Sequence, residues 1–239
     1  MADIQWQKFD AYEMIAIISP GVLLLLGMAR LYPDLSLTPS QRDFSLGDFG
    51  VVLLLAFVAG HLVHAFGNVG EWVWQLTGRW PTDLARSTTR FLPLLPPTQQ
   101  EQLARQCQVR FAYPAGPLSS FTRDEWRGCV DRIKACVTSS RPPRLDTFNR
   151  TYGLFRGITV ACFCLAVLVV ARHGLTAWRL ELAILFAAAL AGYRMRHFGR
   201  LYATTLFCTF LELPAANITD QAKGAAGLDD EGGLCEDVA

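Results

Sequence analysis

The sequence predicts an all-α integral membrane protein with four transmembrane helices, arranged in two hairpins that flank a small helical cytoplasmic domain. Two observations give this fold class. Apolar stretches occur in two pairs, and an arginine-rich polar segment separates the pairs. Each stretch is long enough to cross, or nearly cross, the roughly 30 Å hydrocarbon layer as a helix. The four stretches cover residues 14–32, 49–66, 157–171 and 178–193.

Composition supports this class. Hydrophobic residues make up 51% of the chain and charged residues only 18%, whereas about a quarter of the residues in a soluble domain are charged. The net charge is only +1, so bulk charge does not predict direct binding of nucleic acid. Arginine far outnumbers lysine, which is typical of a bacterial GC-rich genome.

The distribution of basic residues predicts the orientation in the membrane. The segment between the second and third stretches is rich in arginine close to the span ends, whereas the two short connections hold two arginines each. Positive residues favour the cytoplasmic side, so the middle segment and both termini are predicted to be cytoplasmic in a multi-pass inner-membrane protein. The arginines of the middle segment are Arg79, Arg86, Arg90, Arg141, Arg144, Arg150 and Arg156.

These signals divide the chain into six regions. The first apolar stretch is expected to stay as a span and not to be cleaved as a signal peptide, because Asp3, Asp10 and Glu13 precede it against the single Lys8. The predicted regions are a cytoplasmic segment (1–13), a first hairpin (14–74), a helical cytoplasmic domain (75–150), a second hairpin (151–200), a C-terminal helix (201–213) and a disordered acidic tail (214–239).

The first span contains a candidate hinge. Ser19, Pro20 and Gly21 lie near its middle, where proline removes a backbone hydrogen bond and glycine loosens the helix. A kink or a broken helix is expected there. The functional interpretation is a hinge that lines a cavity, and the structural alternative is a tolerated packing kink.

The second span carries a stripe of polar side chains at membrane depth. They recur at intervals of three, four and three residues, which places them along one side of a helix: His61, His64, Asn68 and Glu71. Ionisable groups inside a membrane are costly and are functional candidates. Three interpretations stay open, namely hydrogen bonding between helices, a polar pore or proton path, and a metal site for which only half the ligands are evident.

The cysteines do not suggest a disulfide framework or a zinc site. They are odd in number, scattered, and without a repeated pair at two-residue separation. Reduced thiols, no resident metal and no cofactor are therefore expected. The seven positions are Cys107, Cys129, Cys136, Cys162, Cys164, Cys208 and Cys235.

Two sequence boxes predict helices in the cytoplasmic domain. Thr98 and Glu101 are spaced as a capping box after two prolines, and Thr122 and Glu125 form a second box. The helix that follows Thr122 has its apolar residues on one side, with a staple between Phe121 and Trp126. Four basic residues on this helix form a candidate face for an anionic ligand or a partner: Arg123, Arg127, Arg132 and Lys134.

The predicted function follows from the architecture, because the sequence holds no pattern that supports an enzyme. Four spans enclose little space, and Gly60 and Gly67 let another helix approach closely, so a homo-oligomer in the lipid bilayer is expected. The cytoplasmic domain would sense a signal, a cytoplasmic protein or a small anionic ligand, and the spans would act as a membrane effector or pore. The alternatives are a transporter or proton-conducting subunit using the polar stripe, and a scaffold without transport or catalysis.

Overall fold

The computed structural model describes residues 11–35, 46–76, 81–86, 94–113, 116–140 and 143–213, and every regular element within these ranges is helical. The all-α class is therefore confirmed for the described part of the chain. Six α-helices are present there: α1 Ala11–Leu31, α2 Leu46–Leu76, α3 Pro97–Phe111, α4 Arg123–Ser140, α5 Pro143–His173 and α6 Trp178–Glu212. Short 3-10 helices cover Pro33–Leu35, Pro81–Ala85, Leu118–Ser120 and Gly174–Ala177.

Among the described helices, three are long and apolar enough to cross a membrane. These candidate spans are Met14–Leu31 in α1, Leu46–Gly70 in α2 and Arg144–His173 in α5. They indicate a multi-pass membrane protein that contacts the bilayer. The fourth predicted span is not among them, because charged Glu181 and Arg194 confine the apolar run of α6 to residues 182–193, about 18 Å of helix. The four-span arrangement therefore stays a prediction.

The chain divides into two compact units. The described residues of 11–81 and 144–202 form the first, here named the span unit, and those of 82–143 and 203–213 form the second, here named the α3–α4 unit. Helix α6 is continuous and contributes residues to both. The predicted tail, residues 214–239, lies outside the described residues, as does the N-terminal segment up to residue 10.

In the span unit, α1 and α2 run antiparallel and α5 packs against them. Gly21 of α1 contacts Ala56 of α2, while Ile17 contacts Gly60, so the contacts descend along α2 as they ascend along α1. Gly157 and Leu165 of α5 meet Pro20 and Gly27 of α1 in the same ascending order, so these two helices run parallel.

Helix α5 is one continuous helix from Pro143 to His173. Gly174 follows it with a φ of +59°, a left-handed conformation that glycine adopts readily at the end of a helix. Helix α6 returns alongside α5. Phe198 packs on Phe155 with ring centroids 5.9 Å apart, and Gly199 lies against Tyr152.

The α3–α4 unit has a core of large side chains. Trp126 and Ile133 of α4, Leu103 of α3, and Phe207 and Phe210 of α6 are fully buried. The predicted inner face of α4 is confirmed, since the apolar residues spaced along that side are buried or, at Cys136, half-buried: Trp126, Cys129, Val130, Ile133, Cys136 and Val137. In α3, Leu103 and Cys107 take the inner positions, and Val109 is 75% exposed.

The two capping predictions had different outcomes. At α4 the box is present. The Thr122 amide and hydroxyl both donate to Glu125 Oε2 at 2.8 Å, and the Glu125 amide donates to Thr122 Oγ1 at 3.3 Å. At α3 the Thr98 box is wrong, because the helix begins earlier, with Pro97 in its first turn and Pro96 as a cap without side-chain hydrogen bonds. Proline at that position needs no hydrogen-bond partner for its nitrogen.

Candidate functional site

The span unit has its closest helix contact where α1 crosses α2. A Cβ atom built at Gly21 would overlap the carbonyl oxygen of Ala56, and one built at Gly60 would overlap the carbonyl oxygen of Ile17. Glycine is therefore required at both positions for the two backbones to touch. This arrangement is common between membrane helices, where lipid offers no hydrophobic gain and association depends on close packing.

Helix α5 joins this crossing through another glycine. A Cβ built at Gly157 would lie 2.9 Å from Pro20 Cγ and 3.3 Å from His64 Nε2, so α1, α2 and α5 meet at one level. We name this the three-helix junction, formed by Pro20, Gly21, Gly60, His64 and Gly157. Helix α1 runs unbroken through Pro20, which is fully buried here. The hinge predicted at Ser19, Pro20 and Gly21 stays a prediction, and the observed role of Pro20 and Gly21 is packing.

His64 links the three helices with hydrogen bonds. Its Nε2 lies 3.2 Å from the carbonyl oxygen of Ala16 on α1, and its Nδ1 lies 3.3 Å from a terminal guanidinium nitrogen of Arg156 on α5. A carbonyl only accepts and a guanidinium only donates. These two partners therefore assign a neutral imidazole that donates from Nε2 and accepts at Nδ1.

This assignment limits the chemistry available to His64. Protonation at Nδ1 would replace the hydrogen bond with two adjacent positive charges, and metal binding at Nδ1 would require Arg156 to move away. Among the described residues, no group of three or more histidine, cysteine or acidic side chains is arranged to hold a metal ion. The geometry of His64 favours the first of the three interpretations, a hydrogen bond between helices.

The other polar residues of the stripe do not share this environment. His61 and Asn68 are exposed in the chain, and His61 packs its ring edge-on against Phe57 of its own helix at 4.5 Å. The side chain of Glu71 lies outside the described part of the structure. Helical spacing alone does not separate His61 from His64, because the two are only about 60° apart around the axis. The boundary between the inner and outer faces of α2 falls between them.

Two residues here were not predicted as site residues: Gly157 of the junction and Arg156, which donates to His64. The sequence pattern marks Arg156 only as one of the basic residues of the middle segment. The Arg156 side chain also lies beside Gly67, where a Cβ atom would be 3.3 Å from Arg156 Nε. Gly67 therefore makes room for an arginine of the same chain, and Gly60 for a carbonyl of the same chain. The signal that could have identified Arg156 is its position as the last charge before an apolar run.

Of the four basic residues predicted as a ligand face on α4, three share one side of the helix, and the face stays a prediction. Arg123, Arg127 and Lys134 lie within about 40° of one another around α4, and Arg132 lies on the opposite side. Arg132 is near the faces of Phe111 and Tyr113, at 5.8 and 5.7 Å from the ring centroids. Lys134 forms an ion pair with Asp131 at 3.3 Å.

Helix α3 holds the end of α6 within the α3–α4 unit. Gln106 Nε2 donates to the carbonyl oxygen of Leu211 at 3.3 Å, and Arg110 donates to that of Leu213. The Arg110 guanidinium also lies 4.9 Å above the ring of Phe210. The last carbonyls of a helix have no partner within the helix, so Gln106 and Arg110 supply the missing donors.

A pair of buried thiols lies in the same core. Cys107 of α3 and Cys129 of α4 have their sulfur atoms 2.9 Å apart, and both residues are fully buried. The hydrogen bond to Cys129, together with burial, raises the pKa of the Cys107 thiol well above its usual range. Cys107 is therefore protonated and a poor nucleophile at neutral pH. The described cysteines are all free thiols.

Fold and contacts together define the class of the chain as a helical, multi-pass membrane protein with three candidate spans. Comparison with protein-family models, with curated proteins and with solved structures finds no match.

Proposed function

We propose that the chain is a bacterial inner-membrane protein whose copies associate through α2 and whose α3–α4 unit receives a signal or partner that changes the spans. In this proposal the associated spans act as a membrane effector that perturbs or opens the membrane. The observation that carries the proposal is the exposure of His61 on a candidate span.

His61 is close to the middle of the hydrocarbon layer when α2 crosses it. The candidate span extends from Leu46 to Gly70, and about 20 residues are enough to cross the hydrocarbon layer. His61 is three residues from the middle of this span, which is roughly 5 Å along the helix axis. Ionisable side chains within spans almost always face the interior of a helix bundle or a water-filled cavity. An outward-facing His61 is therefore expected to be covered by another polypeptide.

A second copy of the chain is the simplest cover. His61 shares one side of α2 with four other exposed residues. We name these five residues the α2 outer face: Leu54, Val58, His61, Ala65 and Asn68. Side-chain amides and imidazoles promote association of membrane helices because each partner can both donate and accept hydrogen bonds. A two-fold contact would place His61 and Asn68 of one copy opposite the same face of the other.

Helix α6 offers a route between the two units. Residues 203–212 belong to the α3–α4 unit, where Gln106 and Arg110 bind the end of the helix, and residues 178–202 belong to the span unit. A partner that alters the packing of α3 or α4 would therefore act directly on a helix shared with the spans. The predicted cytoplasmic position of this unit rests on the asymmetry of basic residues.

Transport through the polar stripe has less support as an alternative. A single path would need His61, His64 and Asn68 to line one cavity, and His64 is turned toward Ala16 and Arg156 while the other two are exposed. The scaffold alternative needs no such path, and it is the outcome that remains if the membrane is not perturbed.

The proposed function is tested by expressing the full chain in bacteria and following membrane potential and dye entry. Wild type is expected to lower the potential as expression rises, and His61→Leu with Asn68→Leu is expected to lose most of this effect at equal membrane levels. Phe66→Ala is the matched control, because Phe66 is also exposed on α2 but lies about 140° away from His61. Unchanged potential at every wild-type level would favour the scaffold.

A further inference from the structure

Arginines collect where the apolar parts of α5 and α6 end. The apolar run of α5 begins at Gly157 and that of α6 ends at Tyr193, and the two boundaries lie side by side because the helices are antiparallel. Beyond this boundary lie residues 144–156 of α5 and 194–200 of α6. These two segments carry six arginines and one acidic residue, Asp146. We name the six the arginine belt: Arg144, Arg150, Arg156, Arg194, Arg196 and Arg200.

The belt has the right height for lipid headgroups. The polar layer on each side of a bilayer is about 6 Å thick, and Arg156, Arg194 and Arg196 lie within about 5 Å of the apolar boundary along their helices. Arg150 and Arg200 lie about 10 Å from it, which is close to one Debye length. No arginine of the belt is fully buried.

Aromatic rings hold one of these arginines in place. The guanidinium of Arg194 lies 5.6 Å from the ring of Phe155 and 5.2 Å from the ring of Phe198. Those two rings are themselves stacked at 5.9 Å with an angle of 7° between their planes. Stacking of this kind restricts the side chain while the edge of the guanidinium keeps its donors available for an oxygen ligand.

The directions of the arginines favour lipid over a free anion. Arg194 and Arg196 are about 160° apart around α6, and Arg150 and Arg156 are about 120° apart around α5. The arginines of the belt therefore point in several directions and cannot all converge on one phosphate ion. Headgroups surround a membrane protein on all sides, so a belt is the arrangement that matches them.

We propose that the arginine belt, apart from Arg156, whose guanidinium donates to His64, binds the phosphate groups of anionic phospholipids in the leaflet it faces. Guanidinium groups match phosphate oxygens in geometry and charge, and a basic residue near an anionic membrane surface contributes a favourable interaction of its own. The partner is the lipid surface itself. This inference depends on the insertion of α5 and does not require the contact between copies at α2.

The test uses full-length protein in nanodiscs that mix neutral and anionic phospholipids, with the lipids retained around each particle counted by native mass spectrometry. Wild type is expected to enrich anionic lipid over the bulk mixture. Arg194→Gln with Arg196→Gln is expected to lower the enrichment roughly tenfold, and Arg194→Lys with Arg196→Lys to restore most of it, because the surface attraction follows charge.

The matched control is at the other end of the same helices. Arg172 lies over the ring of Tyr32 and Arg179 over the ring of Trp178, and both arginines are exposed. In contrast to Arg194 and Arg196, they have acidic residues close by in sequence, since Asp34 is two positions from Tyr32 and Glu181 is two positions from Arg179. Replacing Arg172 and Arg179 with Gln is expected to change the enrichment less than about threefold. An equal loss in both pairs, no loss in either, or failure of the lysine pair to restore binding would overturn the proposal. Removal of the bound lipid by millimolar inorganic phosphate or by nucleic acid would also overturn it.

Discussion

The contacts inside the span unit differ in kind from those inside the α3–α4 unit. At the three-helix junction the smallest residues are buried, and backbones touch at Gly21 and Gly60. In the α3–α4 unit the largest residues are buried, with Trp126 5.8 Å from Phe207 and Phe111 stacked on Phe210 at 5.7 Å.

This difference follows from the surroundings that each unit is expected to have. In water, burying a large apolar side chain is favourable in proportion to its area, so bulky residues hold a core together. In lipid, a leucine gains little by leaving the hydrocarbon, and close backbone packing with a few hydrogen bonds takes over. His64 supplies such hydrogen bonds at the junction. In the α3–α4 unit, the hydrogen bonds between Thr122 and Glu125 are exposed and cap the first turn of α4.

The largest expected effect is in the aromatic core. Trp126→Ala should destabilise the α3–α4 unit by about 4 kcal/mol, because a fully buried tryptophan leaves a large cavity. Hydrogen exchange should then rise across α3 and α4 and stay low in α1 and α2. Trp126→Phe is the control, since it keeps a ring and removes an indole nitrogen that has no hydrogen-bond partner in the described part of the chain. Equal losses in both variants would contradict a core held by ring packing.

The next effect is at the helix crossing, where adding volume is harmful. Gly60→Ala should destabilise the span unit by about 2 kcal/mol, because the new methyl group overlaps the carbonyl oxygen of Ile17 and forces α1 and α2 apart. Gly70→Ala, on the same helix with nothing within 4 Å of its Cβ position, should be neutral or slightly stabilising. Unfolding in a lipid-like detergent measures both, and similar values would show that α1 and α2 do not touch there.

A smaller effect is expected at His64. His64→Gln keeps an amide that can donate to Ala16 and accept from Arg156, so the loss should be at most about 1 kcal/mol. His64→Leu leaves both partners without the histidine and should cost more than the glutamine variant. Stability of the two variants in the same detergent decides this, and a glutamine variant that assembles normally but loses all activity would instead indicate a titrating histidine.

The smallest effect is at the start of α4, and it depends on pH. Hydrogen bonds from the Thr122 amide and then its hydroxyl lower the pKa of Glu125. A lowered folded pKa means that the stabilisation is present above the unfolded value of about 4.3 and is lost as pH falls through the folded value. Glu125→Gln should therefore increase hydrogen exchange in the first turn of α4 at pH 6 and have little effect near pH 3. Asp124→Asn, which removes the same charge but no capping hydrogen bond, should increase the exchange less than Glu125→Gln does at pH 6.

What could be predicted from the sequence also differs between the two units. Three predictions for α4 depend only on residues in or next to that helix, and the structure confirms them. They are the cap at Thr122, the staple between Phe121 and Trp126, and the inner face of α4. The cap at Thr98 failed because Pro97 starts the helix earlier, which the box pattern alone does not show.

In the spans the sequence carries less information about packing. An apolar period marks the inner face of a helix in water, but both lipid and protein interior are apolar, so the sides of α2 look alike. The link between His64 and Arg156 joins residues 92 positions apart, and no local pattern predicts it. The division of His61 from His64 depends on where α1 and α5 lie, and the sequence does not give that.

Particle mass in a native-like membrane mimic measures the proposed contact between copies at the α2 outer face. Wild type is expected to contain two or more copies per particle. His61→Leu with Asn68→Leu is expected to contain one copy, because the outer face then becomes fully apolar and stable against lipid. Phe66→Ala should keep the wild-type mass. A wild-type particle that is a monomer at high protein concentration, or a double variant that keeps the full assembly, would rule out this contact.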